Sequence, residues 1–258
     1  MDRRPITHTR LDNVREILSD LVAEQQQLDQ FLQRIKVRNW SVLTPSEEWD
    51  IRDTISHLAH TEEYAYNALE EGGTMLDDLD EFETFDDFTE AGVELGRDMR
   101  PQDVIEWWRL GRAKVVDALS RTTARDRVPW FFGDMSARSF ATLRLCETWA
   151  HGLDIHAAVD EEAQDTERLR HVIILTQKSL PWAFEQAGYE YGVPVRIEGI
   201  GPMYAKYSSG PVDSGQLIRG PAGEICQVAL QRLHPDDADN LIVKGEVAEV
   251  ALQVMRVY

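Results

Sequence analysis

The chain has 258 residues, 43% of them hydrophobic, so it can bury a sizeable core, and its length suits two domains of ordinary size. The formal net charge of −19 at pH 7 argues against nucleic-acid and membrane partners, because both carry negative charge. The start lacks the apolar run of a secretory signal, no stretch is long enough to span a membrane, and the two cysteines form no CxxC pair, so we expect a cytoplasmic protein.

Apolar residues at three- and four-residue spacing predict four helices in the first part of the chain. The first helix covers about residues 10–36, with Thr9 as its cap. The second begins at Asp50, where this carboxylate and that of Asp53 suit the positive end of the helix dipole, and it ends at a glycine pair.

The third predicted helix begins at Pro101, and the fourth covers about residues 136–159. The acidic stretch at residues 77–90 is interpreted as a solvated connection or a helix start, because it lacks the glycine turn and the ligand spacing of a calcium loop. Four helices with short to medium connections are typical of a bundle.

The sequence changes character after about residue 163. One further helix, over about residues 166–187, precedes short runs that alternate β-rich pieces, glycine turns and helical pieces. We therefore predict an α+β protein with two domains: a helical bundle over residues 1–163 and a small α/β domain over residues 164–258.

Glu147 and His151 lie four residues apart on the fourth predicted helix, which places both side chains on one face, about 6 Å apart. A third metal ligand further along the same helix would lie too far away, so it should come from a facing helix. The second helix offers His57, in an apolar stretch where an unpaired imidazole would be costly to bury. Two histidines and one carboxylate leave a fourth position for water or substrate, which is the pattern of an open catalytic zinc site.

Two further carboxylates are candidates to hold the imidazole rings. Asp53 lies one turn before His57, and Asp154 follows His151 by three residues, so either could accept the second ring N–H of a ligand. The spacing alone leaves two other interpretations open. The Glu/His pair could simply lie on a helix surface, and the histidines could be satisfied in the core without any metal.

Two neighbours of these residues are not predicted to be ligands. His60 could point toward the same cavity, but its position near Glu63 favours a solvent-facing side chain. Cys146 lies about 100° around the helix from Glu147, so we expect a small buried thiol.

Two segments, WDIRDTISHLAH at residues 49–60 and MSARSFATLRLCETWAHGLD at residues 135–154, resemble a known family. This is the mycothiol-dependent maleylpyruvate isomerase family, a branch of the DinB-like superfamily of four-helix metalloproteins. The family's pattern is a tryptophan, an aspartate and a histidine at helix two, followed by E-x-x-x-H-x-x-D on helix four. The matching positions are Trp49, Asp53, His57, Glu147, His151 and Asp154.

This resemblance implies a zinc ion held by His57, Glu147 and His151, with a low-molecular-weight thiol such as mycothiol as cosubstrate. Zinc would lower the pKa of the thiol, so that the thiolate exists at neutral pH. The thiolate would add to an activated double bond and allow cis-trans isomerisation, or it would be transferred to the substrate. Imidazole and carboxylate ligands also suit nickel and iron, so the choice of zinc rests on the resemblance.

The later residues resemble, more loosely, the family's C-terminal domain, which has a sterol-carrier-type fold. The segment RGPAGEIC at residues 219–226 matches a GPA segment found there, whereas the family's W-G-R ending is replaced by Leu-Gln-Arg at residues 230–232. In the family an arginine of this domain serves the acidic substrate. The resemblance therefore implies Arg219 as the catalytic candidate and Arg232 as the second.

The sequence leaves two classes of function open. The first is a metal-dependent thiol transferase or thiol-dependent isomerase that acts on a small molecule. The second is a non-catalytic protein of DinB-like fold that binds a metal for structure or carries a small ligand. A fourth ligand such as His60 would favour the second class. Both a monomer and a homodimer are compatible with the sequence.

Overall fold

The computed structural model of the protein describes residues 14–46, 48–74, 82–131 and 133–257. The predicted cap Thr9 and the start of the first predicted helix lie outside the described residues. Contacts divide the chain into two compact units, the first ending at Asp160 and the second beginning at Glu161. None of the described helices combines the length and the apolar character that crossing a bilayer requires.

In the described part of the first unit, four long helices form a bundle and a shorter helix packs against it. The helices, in chain order, are α1 (Arg15–Leu32), α2 (Ile51–Glu70), α3 (Phe85–Gly96), α4 (Pro101–Ser120) and α5 (Ala137–Ala158). α2 packs along α4, α1 packs along α5, and α3 lies on α2. A short antiparallel hairpin of β1 (Arg127–Val128) and β2 (Met135–Ser136) leads into α5.

Local sequence signals explain where the bundle helices begin. Asp50 caps α2, because its side chain accepts the Asp53 N–H at 2.9 Å while the Asp53 carboxylate accepts the Asp50 N–H at 3.2 Å. Pro101 occupies the first turn of α4, where its missing N–H costs no hydrogen bond. Ser136 caps α5 by accepting the Ser139 N–H at 3.1 Å. These three predicted helix starts are confirmed.

Helix α3 is the main departure from the predicted bundle of four helices. Its start forms a capping box: the Thr84 hydroxyl accepts the Asp87 N–H at 3.1 Å, and the Asp87 carboxylate accepts the Thr84 N–H at 2.9 Å. Phe88 and Val93 are fully buried. Packing on α2 therefore stabilises a helix in an acidic segment. Residues 77–81 lie outside the described residues, and over residues 82–90 the structure confirms the helix start, the second of the two interpretations.

The apolar core of the bundle lies mainly between α1, α2 and α4. Its buried side chains are Leu28, Phe31, Leu32, Trp40, Ile51, Ile55, Leu58, Ala59, Val104, Ile105, Trp108 and Ile155. Burial of each large apolar side chain contributes about 1.5–3 kcal/mol. Because Ile55 and Leu58 anchor α2 in this core, the backbone of His57 between them is held in place.

The second unit is a four-stranded sheet with helices packed on it. Its elements, in chain order, are α6 (Leu169–Gln186), β3 (Arg196–Ile200), β4 (Lys206–Ser209), β5 (Leu217–Pro221), α7 (Ala222–Ala229), β6 (Ile242–Lys244) and α8 (Glu246–Val254). The strand order is β4-β3-β5-β6, with β3 and β5 parallel and the outer pairings antiparallel. Ile197 and Ile218 are buried between the sheet and the helices. Glu198 and Arg219, the next residues along their strands, lie on the opposite face of the sheet. Helical and mixed units in one chain confirm the predicted α+β class.

Candidate metal centre

Three candidate ligands come together in the first unit. α2 supplies His57, and α5 supplies Glu147 and, one turn later, His151. Nε2 of His57 lies 3.4 Å from Oε2 of Glu147, and Nε2 of His151 lies 3.7 Å from the same oxygen. One ligand atom from each side chain lies within 4.8 Å of the other two. The two helices thus face each other with all three side chains directed at one point.

The three side chains are buried, so their protonation follows from burial and from neighbouring charges. His57, Glu147 and His151 are 7%, 9% and 6% exposed. Burial lowers the pKa of His57 to about 4, although the hydrogen bond with Glu147 opposes the shift. Burial disfavours the charge of Glu147, but the hydrogen bond with His57 and the electrostatic influence of His151 and Arg144 outweigh it and lower the pKa of Glu147 to about 2. At neutral pH the pair is therefore a neutral imidazole and a carboxylate.

These protonation states and distances fit a divalent metal. A neutral imidazole and a carboxylate bind a metal without first losing a proton. In a tetrahedral zinc site with bonds of about 2.0–2.1 Å, the ligand atoms lie about 3.3 Å apart. The separations of 3.4 and 3.7 Å to the Glu147 oxygen are close to that value. Within the described part of the chain, no other group of three or more His, Cys, Asp and Glu residues meets the same condition.

Asp154 and Ser46 support His151 from the side away from Glu147. Oδ2 of Asp154 lies 3.2 Å from Nδ1 of His151, and the Ser46 hydroxyl donates to the same carboxylate oxygen at 3.0 Å. A carboxylate at this position favours the ring tautomer that carries its proton on Nδ1 and presents the lone pair of Nε2. The structure therefore places Asp154 where it can orient a metal ligand.

Asp53 has a different role from the one expected of it. Its carboxylate closes the capping box of α2 and lies 3.7 Å from Nε of Arg97. The buried Nδ1 of His57 has no hydrogen-bond partner among the described residues. The expectation that Asp53 accepts the second ring N–H of His57 is thus corrected, because capping draws this carboxylate back toward the start of the helix.

Trp49 covers the two imidazole rings. The centroid of its ring lies 4.9 Å from that of His57 and 6.2 Å from that of His151. The indole is half-buried, so it shields the candidate ligands from solvent on one side. It also gives the cluster an apolar wall against which part of a small ligand can pack.

Two neighbouring side chains lie outside the ligand group. His60 is only 8% exposed, because its ring packs at 5.0 Å from the ring of Phe88 on α3. The prediction of a solvent-facing His60 is wrong, since it took no account of α3. Cys146 is fully buried as predicted, and burial raises the pKa of its thiol well above the usual value, so it is not a nucleophile at neutral pH.

The second unit carries both arginine candidates. Nε of Arg219 on β5 donates to Oε2 of Glu198 at 2.7 Å. These two residues and Lys206 are among those that line a cavity of about 490 Å³. Arg232 instead donates to the backbone carbonyl of Leu230 at 2.9 Å and does not line this cavity. Of the two, Arg219 is the arginine that is open to an anionic ligand within this unit.

Sequence reasoning missed two charged residues near the candidate ligands, Arg144 and Glu62. Their exposed fractions are 1% and 0%, and Nη2 of Arg144 lies 3.2 Å from Oε1 of Glu62. A signal was present, because Arg144 lies one turn before Glu147 and therefore on the same face of the fourth helix. A charge on a buried face requires a partner, and that requirement pointed to an acid on a facing helix.

The fold and the cluster together define a class of protein: an α+β protein of two units whose helical bundle carries a buried group of two histidines and one glutamate. The family model described as the mycothiol maleylpyruvate isomerase N-terminal domain matches residues 21–156. The chain belongs to this family, and the resemblance drawn from residues 49–60 and 135–154 is confirmed.

Relatives and solved structures extend the similarity beyond the bundle. Two uncharacterized proteins of Mycobacterium tuberculosis, from strains CDC 1551 / Oshkosh and ATCC 25618 / H37Rv, are each 31% identical over 218 residues, which cover 83% of this chain and 84% of the relative. Crystal structures of a mycothiol-dependent maleylpyruvate isomerase and of its histidine-to-alanine mutant have TM-scores of 0.62 and 0.61, with 16% identity. These matches cover 95% of this chain and 97% of the other, so the shared fold includes both units.

Proposed function

We propose that this protein is an enzyme of thiol-linked chemistry in which His57, Glu147 and His151 hold a divalent metal, zinc by the family resemblance, beside a low-molecular-weight thiol such as mycothiol. The observation that carries the proposal is the convergence of two imidazole nitrogens and one carboxylate oxygen at one buried point. Three protein ligands leave a position for the thiol. Membership of the family supports a thiol cosubstrate.

The chain's own residues orient and screen this site. Asp154 holds the His151 ring with Nε2 presented, and Ser46 holds Asp154 in turn. Trp49 limits the access of water from one side. When bound, a metal at this position lowers the pKa of a neighbouring thiol, so that the thiolate is available at neutral pH. Cys146 is buried and protonated, so the nucleophilic sulfur comes from the cosubstrate.

The reaction we favour is cis-trans isomerisation of a small substrate that has an activated double bond. The thiolate sulfur forms a bond to one alkene carbon, and the electron pair of the double bond moves onto the activating carbonyl. Rotation about the resulting single bond follows, and the sulfur leaves as the double bond returns. The thiol is regenerated and no oxidant is needed. Lasting transfer of the thiol to the substrate is the alternative outcome of the same addition step.

We further propose that residues 164–258 form the sterol-carrier-like unit and that Arg219 binds the acidic group of the substrate. Arg219 and Lys206 line one cavity in a chain whose net charge is −19, so this cavity is a local exception to the acidic composition. Glu198 holds the Arg219 guanidinium in place, and the remaining N–H groups of the guanidinium can donate hydrogen bonds to an anion.

Metal content measured by plasma mass spectrometry on tag-free protein tests the proposal. We expect about one equivalent of zinc in the wild type and none in His57→Ala or His151→Ala, because each variant loses one of three ligands. His156→Ala is the matched control: this histidine also lies on α5 but stacks on Phe31 at 3.6 Å, so its loss should leave the metal in place.

An assay of mycothiol-dependent isomerisation of maleylpyruvate then tests the reaction. Activity in the wild type and its loss in both ligand variants would support the proposed enzyme. Zinc binding without thiol-dependent turnover would favour the non-catalytic metal-binding alternative. A wild-type protein that takes up no metal, even after reconstitution, would overturn the site itself.

A further inference from the structure

A buried ion pair crosses from α5 to α2 close to the candidate metal site. Nη2 of Arg144 lies 3.2 Å from Oε1 of Glu62, and the same nitrogen donates to Oγ1 of Thr61 at 3.0 Å. The side chains of Arg144 and Glu62 are 1% and 0% exposed. The pair is therefore sealed inside the bundle, and neither charge is solvated by bulk water.

The same two helices carry the contact between His57 and Glu147. Arg144 lies one turn before Glu147 on α5, and Thr61 lies one turn after His57 on α2, so both contacts occupy the facing sides of these helices. The Thr61 hydroxyl, which accepts from Arg144, also donates to the backbone carbonyl of His57 at 2.9 Å, one turn back along α2. A shift of Arg144 relative to α2 would therefore move one metal ligand relative to the other.

Neither α2 nor α5 has the other as its main packing partner. α2 packs chiefly along α4, and α5 packs chiefly along α1, whereas α2 and α5 share few contacts. The hydrogen bond of Arg144 with Thr61 and its ion pair with Glu62 are therefore direct constraints on how α2 and α5 approach each other.

The ion pair is a costly way to gain stability alone. Oε2 of Glu62 and Nε of Arg144 are buried without a hydrogen-bond partner among the described residues. Removing two charges from water is often not repaid by their mutual attraction, and apolar residues of similar volume are commonly as stable or more stable in such places. A role in placing α2 against α5 explains the pair better than a contribution to folding energy does.

We propose that Arg144 and Glu62 are positioning residues, which hold α2 against α5 so that the ligand atoms of His57 and Glu147 stand at metal-binding distance before any metal arrives. This inference rests on the proposed metal site. Arg144 also places a positive charge close to two buried carboxylates, Glu62 and Glu147, which would otherwise repel each other across the helix interface.

The test replaces the pair by apolar residues of similar size, as Arg144→Met with Glu62→Leu, and measures the zinc Kd by chelator competition. We expect the Kd to rise about 10–100-fold, the range found when residues that orient metal ligands are lost. The urea midpoint of the metal-free protein should stay close to that of the wild type. A role in folding alone would instead change the urea midpoint and leave the Kd unchanged.

A second, partly buried ion pair supplies the control. Asp29 on α1 forms an ion pair with Arg112 on α4 and therefore joins two helices that carry no candidate ligand. Asp29→Leu with Arg112→Met should raise the zinc Kd far less than the variant of Arg144 and Glu62, because Arg112 bonds to Asp29 and to the Gln25 carbonyl and influences Glu62 only through its charge. Arg109, the other partner of Asp29, keeps its contact with Glu106 at 2.6 Å.

Two milder variants keep the test decisive if the double variant does not fold. Thr61→Val removes one acceptor of Arg144 without changing side-chain size. Arg144→Lys keeps the positive charge but replaces the planar guanidinium, with its several N–H donors, by a single ammonium group. Both should bind zinc more weakly than the wild type. Unchanged Kd values in folded variants would overturn the positioning role while leaving the metal site intact. A wild-type protein that binds no zinc would overturn both.

Discussion

Nδ1 of His151 lies 3.2 Å from Oδ2 of Asp154, one turn further along the same helix. This pairing decides which ring nitrogen faces the Glu147 carboxylate. In Asp154→Asn the side-chain amide can offer an N–H to Nδ1, which favours the tautomer that cannot bind a metal through Nε2. We expect the zinc Kd, measured by chelator competition at neutral pH, to rise about 10–100-fold.

Asp53→Asn is the control for that substitution. The chemical change is the same, but the Asp53 carboxylate serves the capping box of α2 and not an imidazole ring. Since asparagine still accepts hydrogen bonds at a helix start, the zinc Kd should stay within about twofold of the wild-type value. Equal weakening in both variants would contradict the assignment of Asp154 as the support of His151.

The candidate ligands could be found from sequence because helical periodicity is a local property. The four-residue spacing of Glu147 and His151 fixes their common face whatever surrounds them. The orientation of the Asp53 carboxylate, in contrast, depends on residues that are distant in sequence. This carboxylate lies at the start of its own helix and within 3.7 Å of Nε of Arg97. For Arg144 the sequence indicates the buried face that it shares with Glu147, but it does not identify the partner, because Glu62 lies on another helix.

The stability of the metal-free protein should fall on acidification, and His57 should be a main cause. Its pKa in the folded state is about 4, against an ordinary value of 6.5, so between these values the unfolded chain binds the proton more readily. Stability is therefore lost as the pH falls through this window, by about 2 kcal/mol at pH 5. Glu147, with its pKa lowered to about 2 from 4.5, adds a further loss below pH 4.5.

Urea unfolding in the presence of a chelator, at pH 7.5 and at pH 5, measures this effect. The variant His57→Gln keeps a polar side chain but has no group that titrates in this range. The difference in the free energy of unfolding between pH 7.5 and pH 5 should therefore be much smaller in this variant than in the wild type. The same pH dependence in wild type and variant would show that His57 is not held neutral by burial.

Arg219 offers a test of the proposal that the second unit binds the acidic group of a substrate. Arg219→Met removes a guanidinium that can form charge-assisted hydrogen bonds with an acidic substrate, worth about 1.5–3 kcal/mol. We expect KM for the acidic substrate to rise roughly tenfold or more, with a smaller change in kcat. Arg232→Met is the control, since Arg232 is turned to a backbone carbonyl and lies outside the cavity that Arg219 lines. An equal effect of both variants would remove the preference for Arg219.

The bundle was predictable where periodic apolar residues coincide with strong start signals, as at Asp50 and Pro101. Helix α3 was harder, because its sequence is acidic and short and its stability depends on burying Phe88 and Val93 against a partner helix. The exposure of His60 was misjudged as a direct consequence, since α3 is the element that covers it. The choice left open for residues 77–90, between a solvated connection and a helix start, thus led to a wrong environment for a residue on a correctly predicted helix.

That contact between α3 and α2 leads to a prediction about Gly92. A Cβ atom at this position would lie 2.2 Å from Nδ1 and 2.5 Å from Cγ of His60, so the imidazole or the whole of α3 must move. Alanine gains up to about 1 kcal/mol over glycine in a helix, but overpacking of a tight contact typically costs about 1–3 kcal/mol. We therefore expect Gly92→Ala to lower the urea midpoint.

Gly73→Ala is the matched control, because an added Cβ there meets no atom within 4 Å. Its effect on the free energy of unfolding should stay within about 0.5 kcal/mol. Since His60 is outside the ligand group, Gly92→Ala should leave the zinc Kd nearly unchanged even as stability falls. If Gly92→Ala were as stable as Gly73→Ala, α3 could not lie against His60 as described. If zinc binding fell together with stability, His60 would have to be coupled to the metal ligands through the shared helix α2.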